Sequence, residues 1–152
     1  MNVSSLTWII MMACLFVIQS CQTYSEDDLE EFDKQIKTYV SENKLEHRKT
    51  TSGLYYHIIN EGTSRKIKYT DSVFISYVGQ LLNGKIIDKQ EKPIQFSVRD
   101  LLKGWQEGLT FCGENAHIDL IIPPQLGYGD NELDDIPPHS ILRYSIKVSK
   151  IK

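Results

Sequence analysis

The side chains that most often do chemistry are thinly spread in this sequence. His47, His57, His117 and His139 show no metal-ligand spacing. The acidic stretch Asp130-Asn131-Glu132-Leu133-Asp134-Asp135 lacks the glycine and closing glutamate of an EF-hand calcium loop. There is no glycine-rich phosphate loop and no Ser-His-Asp order, so neither metal nor cofactor is expected. Of the cysteines, Cys14 lies inside an apolar run and Cys21 just after it. With Cys14 cleaved off and Cys21 acylated, Cys112 stands alone, which excludes an intrachain disulfide. Cys112 follows Phe111 in apolar surroundings and reads as a small core residue rather than a nucleophile.

The reading of Cys21 depends on what precedes it. Residues 1–20 contain no Asp, Glu, Lys or Arg, and Leu6 to Ile18 is an apolar run of 13 residues. A membrane-spanning helix needs roughly 20, so the run fits the apolar part of a secretion signal, although only the α-amino group supplies positive charge before it. Ile18-Gln19-Ser20-Cys21 resembles a bacterial lipobox, which implies cleavage before Cys21 and a lipid on that cysteine. An ordinary cleaved signal and a retained membrane anchor are the alternatives. The expected location is the bacterial cell envelope, lipid-anchored, periplasmic or surface-facing, most naturally at the outer membrane. The chain then divides into a signal peptide (1–20), an acidic spacer with an amphipathic helix (21–44) and one domain (45–152).

Charge supports that division. Among 152 residues the net charge is −3, which argues against a nucleic-acid binder. Six acids fall within Glu26–Asp33, leaving 14 of the 20 acids against 17 Lys and Arg in the rest of the chain. With 41% hydrophobic and 24% charged residues, the main body has the composition of an ordinary packed core.

From Ser25 the pattern is helical. Leu29, Phe32, Ile36, Tyr39 and Val40 form one stripe, and Ser25 with Asp28 offers an N-cap. A lone helix of this length is marginal in water, so the stripe must pack on the following domain or on another copy. Strand signals follow at Leu54–Ile59 and Val73–Leu82, and Asn83-Gly84 marks a hairpin. Lys85–Ile87 and Ile94–Val98 continue the extended pattern, and a short helix is expected over Arg99–Leu109. His117–Ile122 alternates with Ile118, Leu120 and Ile122 inward. Leu142, Tyr144, Ile146 and Val148 repeat that pattern in a last half-buried antiparallel strand. The fold class is α+β.

Five segments then narrow the reading: Tyr77-Val78-Gly79-Gln80-Leu81, the hairpin running to Ile87-Asp88, Leu101 to Leu109 with Gly104-Trp105 and Glu107-Gly108, Gly127-Tyr128-Gly129, and Ile136-Pro137-Pro138 leading into the last strand. In order and spacing, from about Leu54 to Ile151, they closely resemble the FKBP-type prolyl isomerases. The resemblance implies an antiparallel half-barrel sheet wrapped on one short helix, with an apolar pocket between them. Tyr77, Ile87, Asp88, Leu102 and Tyr128 take the positions nearest the reacting bond. Phe96, Ile94, Leu101, Trp105, Ile136 and Tyr144 line the substrate site. Trp105 would be a floor for a proline ring, and Leu102 N–H and the Tyr128 phenol would donate to substrate carbonyls. Asp88 would accept from Tyr77 and orient the rim.

The implied activity is rotation about X–Pro bonds, assisting exported proteins to fold. No nucleophile is needed: a twisted amide has lost resonance and carries less charge separation, so a water-poor apolar pocket favours it. Ile87 and Ile94 stand where the family usually has aromatics, and Tyr144 where it has phenylalanine. Weaker catalysis and weakened binding of macrolide immunosuppressants are expected. The expected partners are proline-containing segments of exported proteins and, through the Cys21 lipid, a membrane. The alternative is a non-catalytic module that holds proline-containing or apolar segments.

Overall fold

The computed structural model describes residues 24–152, so the leader and Cys21 lie outside the described part. Helix α1 spans Glu26–Glu42. Its start is closed by a capping box: Asp28 N–H donates to Ser25 Oγ at 3.1 Å, and Ser25 N–H donates to Asp28 Oδ2 at 3.0 Å. The short β1, Arg48–Lys49, precedes β2, Tyr55–Asn60. Strand β3, Ser72–Leu81, turns through Asn83-Gly84 into β4, Ile86–Ser97. Gly84 sits at φ +87°, where a side chain is disfavoured. Helix α2, Lys103–Leu109, leads to β5, His117–Ile122, and β6, Leu142–Ile151, ends the chain.

The strands form one open antiparallel sheet in the order β1-β2-β5-β6-β3-β4. Helix α2 packs on one face, where Ile118, Leu120, Ile122, Tyr144, Ile146, Val73 and Ile75 bury themselves with Trp105 and Leu109. This is the α+β architecture expected, with the amphipathic helix in front of it.

From Ile36 onward the stripe of α1 packs on the other face of the sheet, while Leu29 at its start stays exposed. Ile36 is fully buried against Tyr55, Ile121 and Ile141, with Tyr39 and Val40 beside it. Polar groups tie the joint. Asp33 accepts from Tyr55 Oη at 2.7 Å and pairs with Lys49 at 2.6 Å and Lys37 at 2.7 Å. Arg143 grips the buried Asp119 through both Nε (3.1 Å) and Nη2 (2.6 Å) and reaches Tyr39 of α1 at 3.2 Å. His47 Nε2 stands 3.5 Å from the same carboxylate, at ion-pair distance. Burial alone would raise the Asp119 carboxyl, but the His47 and Arg143 contacts hold it below the usual range.

Two local expectations are revised. The two extended segments after the hairpin are one strand, β4. Its register jumps from Ile75↔Ile94 to Tyr77↔Gln90, so a bulge holds Pro93 where no ladder hydrogen bond is required. The helix expected over Arg99–Leu109 is broken. A 3₁₀ turn at Val98–Asp100 is followed by extended Leu101 (ψ 168°) and Leu102 (ψ 146°), and α2 begins at Lys103. Gln106 Nε2 occupies the carbonyls of Leu101 (2.7 Å) and Arg99 (3.0 Å), which a continuous helix would have bonded itself.

Candidate functional site

The break before α2 places the centre of the site. Leu102 is the N-cap residue, and its N–H donates to no described backbone or side-chain acceptor, as expected of the first amides of a helix. One turn on, Trp105 is 4% exposed, and its indole N–H has no acceptor among the described residues. Gly104 and Gly108 let the helix approach so closely: a Cβ on either would come within 2.7 Å of Ile122 or Leu120 of β5.

Two rings stand edge-on to that indole. Tyr77 of β3 lies 4.8 Å away at 78°, and Tyr144 of β6 lies 4.8 Å away at 74°. Phe96 of β4 continues the cluster, 6.2 Å from Tyr77. Edge-to-face contacts of this kind are favoured by the ring quadrupoles. Strand register produces the cluster, since Gly79 pairs with both Tyr144 and Asp88 across its two neighbours. A Cβ on Gly79 would lie 2.1 Å from Tyr144 Cε1, so the missing side chain makes room for the ring.

The polar groups gather at one side of the cluster. Tyr77 Oη donates to Asp88 Oδ2 at 2.9 Å, the pairing expected. Burial, then the Asp88 hydrogen bond and charge, push the Tyr77 phenol up to about 12. The Tyr144 phenol is pushed further, first by burial and then by the nearby Tyr128, Asp88 and Tyr77 oxygens. Tyr128, Ile87, Leu101 and Leu102 are half-buried against the same core, and Ile136 is 7% exposed.

Taken as a substrate site, this cluster would be an apolar recess with buried Trp105 as its floor, half-buried walls and hydroxyls on one side. It brings together ten of the eleven proposed site residues. The exception is Ile94, 42% exposed and outside the packed set, although it pairs in register with the buried Ile75. Two grooves of about 890 Å³ and 630 Å³ lie outside the recess, one along α1 and the Tyr128 loop and one at the β1–β2 edge.

The sequence matches the family of FKBP-type peptidyl-prolyl cis-trans isomerases over residues 63–149. The chain belongs to that family. Among named relatives, the FKBP-type peptidyl-prolyl cis-trans isomerase FkpA of Buchnera aphidicola (subsp. Schizaphis graminum) is 38% identical over 80% of this chain and 54% of its own length. FkpA of Escherichia coli K12 is 31% identical over 90% of this chain and 52% of its own. A probable FKBP-type isomerase of Haemophilus influenzae is 39% identical over 65% and 43%. This chain thus spans about half the length of the curated relatives it matches.

Solved structures agree on the fold. The crystal structure of Escherichia coli FkpA aligns with TM-score 0.72 and 27% identity, over 100% of this chain and 74% of that one. A peptidyl-prolyl cis-trans isomerase of Pseudomonas syringae pv. tomato aligns with TM-score 0.69 and 26% identity, over 86% and 98%.

Within this FKBP domain, two contributors were not singled out from sequence. Gln106, by holding the Leu101 carbonyl, sets the extended pair that frees the Leu102 amide. Its position on a helix between Trp105 and Glu107 gives no local sign of that duty. Gly79 was part of a motif, but its role depends on a ring 65 residues later that only strand pairing brings alongside.

Proposed function

We propose that this chain is a peptidyl-prolyl cis-trans isomerase that assists exported proteins to fold. Family membership supports the reaction class. The observation that carries the reading is Trp105, framed edge-on by Tyr77 and Tyr144, beside a Leu102 amide that has no partner among the described residues.

Resonance in the C–N bond sets a barrier of ~18–20 kcal/mol to its rotation, and uncatalysed X–Pro exchange takes tens to hundreds of seconds. A proline ring lying on Trp105 places the preceding amide among apolar walls, where the less charge-separated twisted form is favoured. Leu102 N–H and the Tyr128 phenol hold flanking carbonyls, so binding strengthens as the amide twists. Asp88 accepts from Tyr77 and fixes the rim; it transfers no proton. The walls supplied by Ile87, and by Ile94 at the margin, give less stacking than aromatics. Catalysis and macrolide binding are both weaker than in an all-aromatic pocket.

The lipobox reading of residues 18–21 extends the proposal to location: the domain is tethered through a lipid on Cys21 to a membrane of the bacterial envelope, at the outer membrane, where exported chains pass. Mass spectrometry of the mature N-terminus tests this part, and an unmodified Cys21 overturns it.

The activity is tested by protease-coupled turnover of a proline tetrapeptide. Asp88→Leu and Trp105→Phe should each lower kcat/KM by about tenfold, roughly 1.4 kcal/mol of transition-state binding, with the circular dichroism spectrum retained. Unchanged rates in folded variants would show that the site lies elsewhere.

A further inference from the structure

The groove of about 890 Å³ beside the recess has no part in the mechanism above. One wall is the beginning of α1, with Leu29 and Phe32, and the other is the loop that carries Pro124 and Tyr128. Leu29 is 38% exposed, an apolar side chain left uncovered on a helix that buries Ile36 completely. Specific contacts join the two walls of the groove. Tyr24 Oη is 3.0 Å from His139 Nδ1, and the Tyr24 ring stands edge-on to both Phe32 (5.2 Å) and His139 (5.7 Å). His139 N–H in turn donates to Gly129 O at 2.8 Å, beside Tyr128. The approach to α1 is thereby tied to the loop that carries a proposed carbonyl donor.

The groove adjoins the proposed site at Tyr128. Tyr128 packs on the Trp105 cluster and lines the groove as well, and Lys103, the next residue after Leu102, lines it too. The charge is mainly negative. Asp28 and Asp130 line it against Lys103, and Asp27, Glu30 and Glu31 are exposed on the same helix.

We propose that this groove is an extension subsite for the client segment flanking the prolyl bond. It seats an aromatic or aliphatic side chain on Leu29, Phe32 and Pro124, and a basic side chain beside Asp28 and Asp130. The proposal rests on the prolyl-isomerase reading of the Trp105 recess. It gives the appended helix a part in choosing clients: segments in which a proline neighbours an apolar residue and a lysine or arginine are preferred.

The test compares a proline tetrapeptide with decapeptides that extend it, at either end, by a Lys-Phe-containing segment or by Ser and Gly alone. The full chain is used, with turnover and backbone amide shifts both read. In the unaltered protein, kcat/KM for one Lys-Phe decapeptide exceeds that for its Ser-Gly counterpart about tenfold. The same peptide, and not the tetrapeptide, shifts the amides of Leu29, Phe32 and Asp130. Leu29→Glu and Asp130→Lys bring the Lys-Phe to Ser-Gly ratio back toward one, while the remote surface variant Tyr69→Ser retains it. A ratio near one in the unaltered protein, or amide shifts elsewhere, such as along the β1–β2 edge, overturns the subsite. Loss of turnover on every peptide, with shifts still present at Leu29 and Asp130, would instead fault the recess reading and leave the groove standing.

Discussion

Replacing Gly79 by alanine puts a single methyl group against the aromatic cluster. The new Cβ would lie 2.1 Å from Tyr144 Cε1 and 2.7 Å from Cζ, against an ordinary van der Waals approach of at least 3.4 Å. The Tyr144 ring cannot retreat freely: it is 1% exposed and stands edge-on to Trp105 at 4.8 Å and near Tyr77 at 6.1 Å. More than an ångström of movement is therefore passed to the indole or to the strand pair. Overpacking of this kind costs about 1–3 kcal/mol, and the displaced ring spoils the floor on which the proline is to lie. Urea denaturation should show the loss of stability, and peptide turnover should fall with it. In a Tyr144→Leu background the ring is gone, so adding Gly79→Ala should cost less than about 0.5 kcal/mol. The difference, a coupling of about 1 kcal/mol or more, is readable in a double-mutant cycle. A Gly79→Ala protein as stable and active as the parent, or one with the same cost in both backgrounds, would refute this placement of Tyr144.

Two further outcomes concern the joint between α1 and the sheet. Ile36→Ala empties a fully buried site and should cost about 2–5 kcal/mol, seen as a lowered urea midpoint and faster amide exchange along α1. Acid should loosen the same joint. Burial would raise the Asp33 carboxyl, but hydrogen bonds from Lys37, Lys49 and Tyr55 outweigh it and hold the group at about 2. A carboxyl lowered on folding stabilises above its unfolded value, near 3.9, and loses that contribution as pH falls through the folded value. Amide exchange in α1 should accelerate between roughly pH 4 and pH 2, and Asp33→Asn should remove much of this dependence. A flat profile in the parent protein would contradict it.

Much of the architecture was legible because hydrophobic period and turn chemistry agreed. The Leu142–Val148 alternation, the Asn83-Gly84 hairpin and the Ser25 cap all appear where the residue pattern puts them. Residues of the outer sheet face were harder to read. The alternation in β5 marks Ile118, Leu120 and Ile122 as inward, yet Ile121 is also fully buried and Asp119 nearly so. Local periodicity cannot register a helix that arrives from 80 residues earlier to cover the second face, nor the Arg143 and His47 that make Asp119 tolerable there. Among the proposed site residues, the resemblance in type and order was sufficient to group Tyr77 with Asp88 and with Trp105, which the fold does bring together. The duties of Gln106 and Gly79 depend on carbonyls and rings that only the fold brings near. Ile94 pairs in register with the buried Ile75 yet stays 42% exposed on the edge strand β4, a difference that only the strand order reveals.

The central claim is that a proline ring rests on Trp105 while the bond before it rotates. Exchange NMR on a proline peptide with a catalytic amount of the protein measures both halves in one sample. Exchange cross-peaks between cis and trans forms should grow far faster than the uncatalysed tens of seconds, with transferred Overhauser effects from the proline ring protons to the Trp105 indole. Uncatalysed exchange in the folded protein, or proline contacts that bypass that indole, would contradict it.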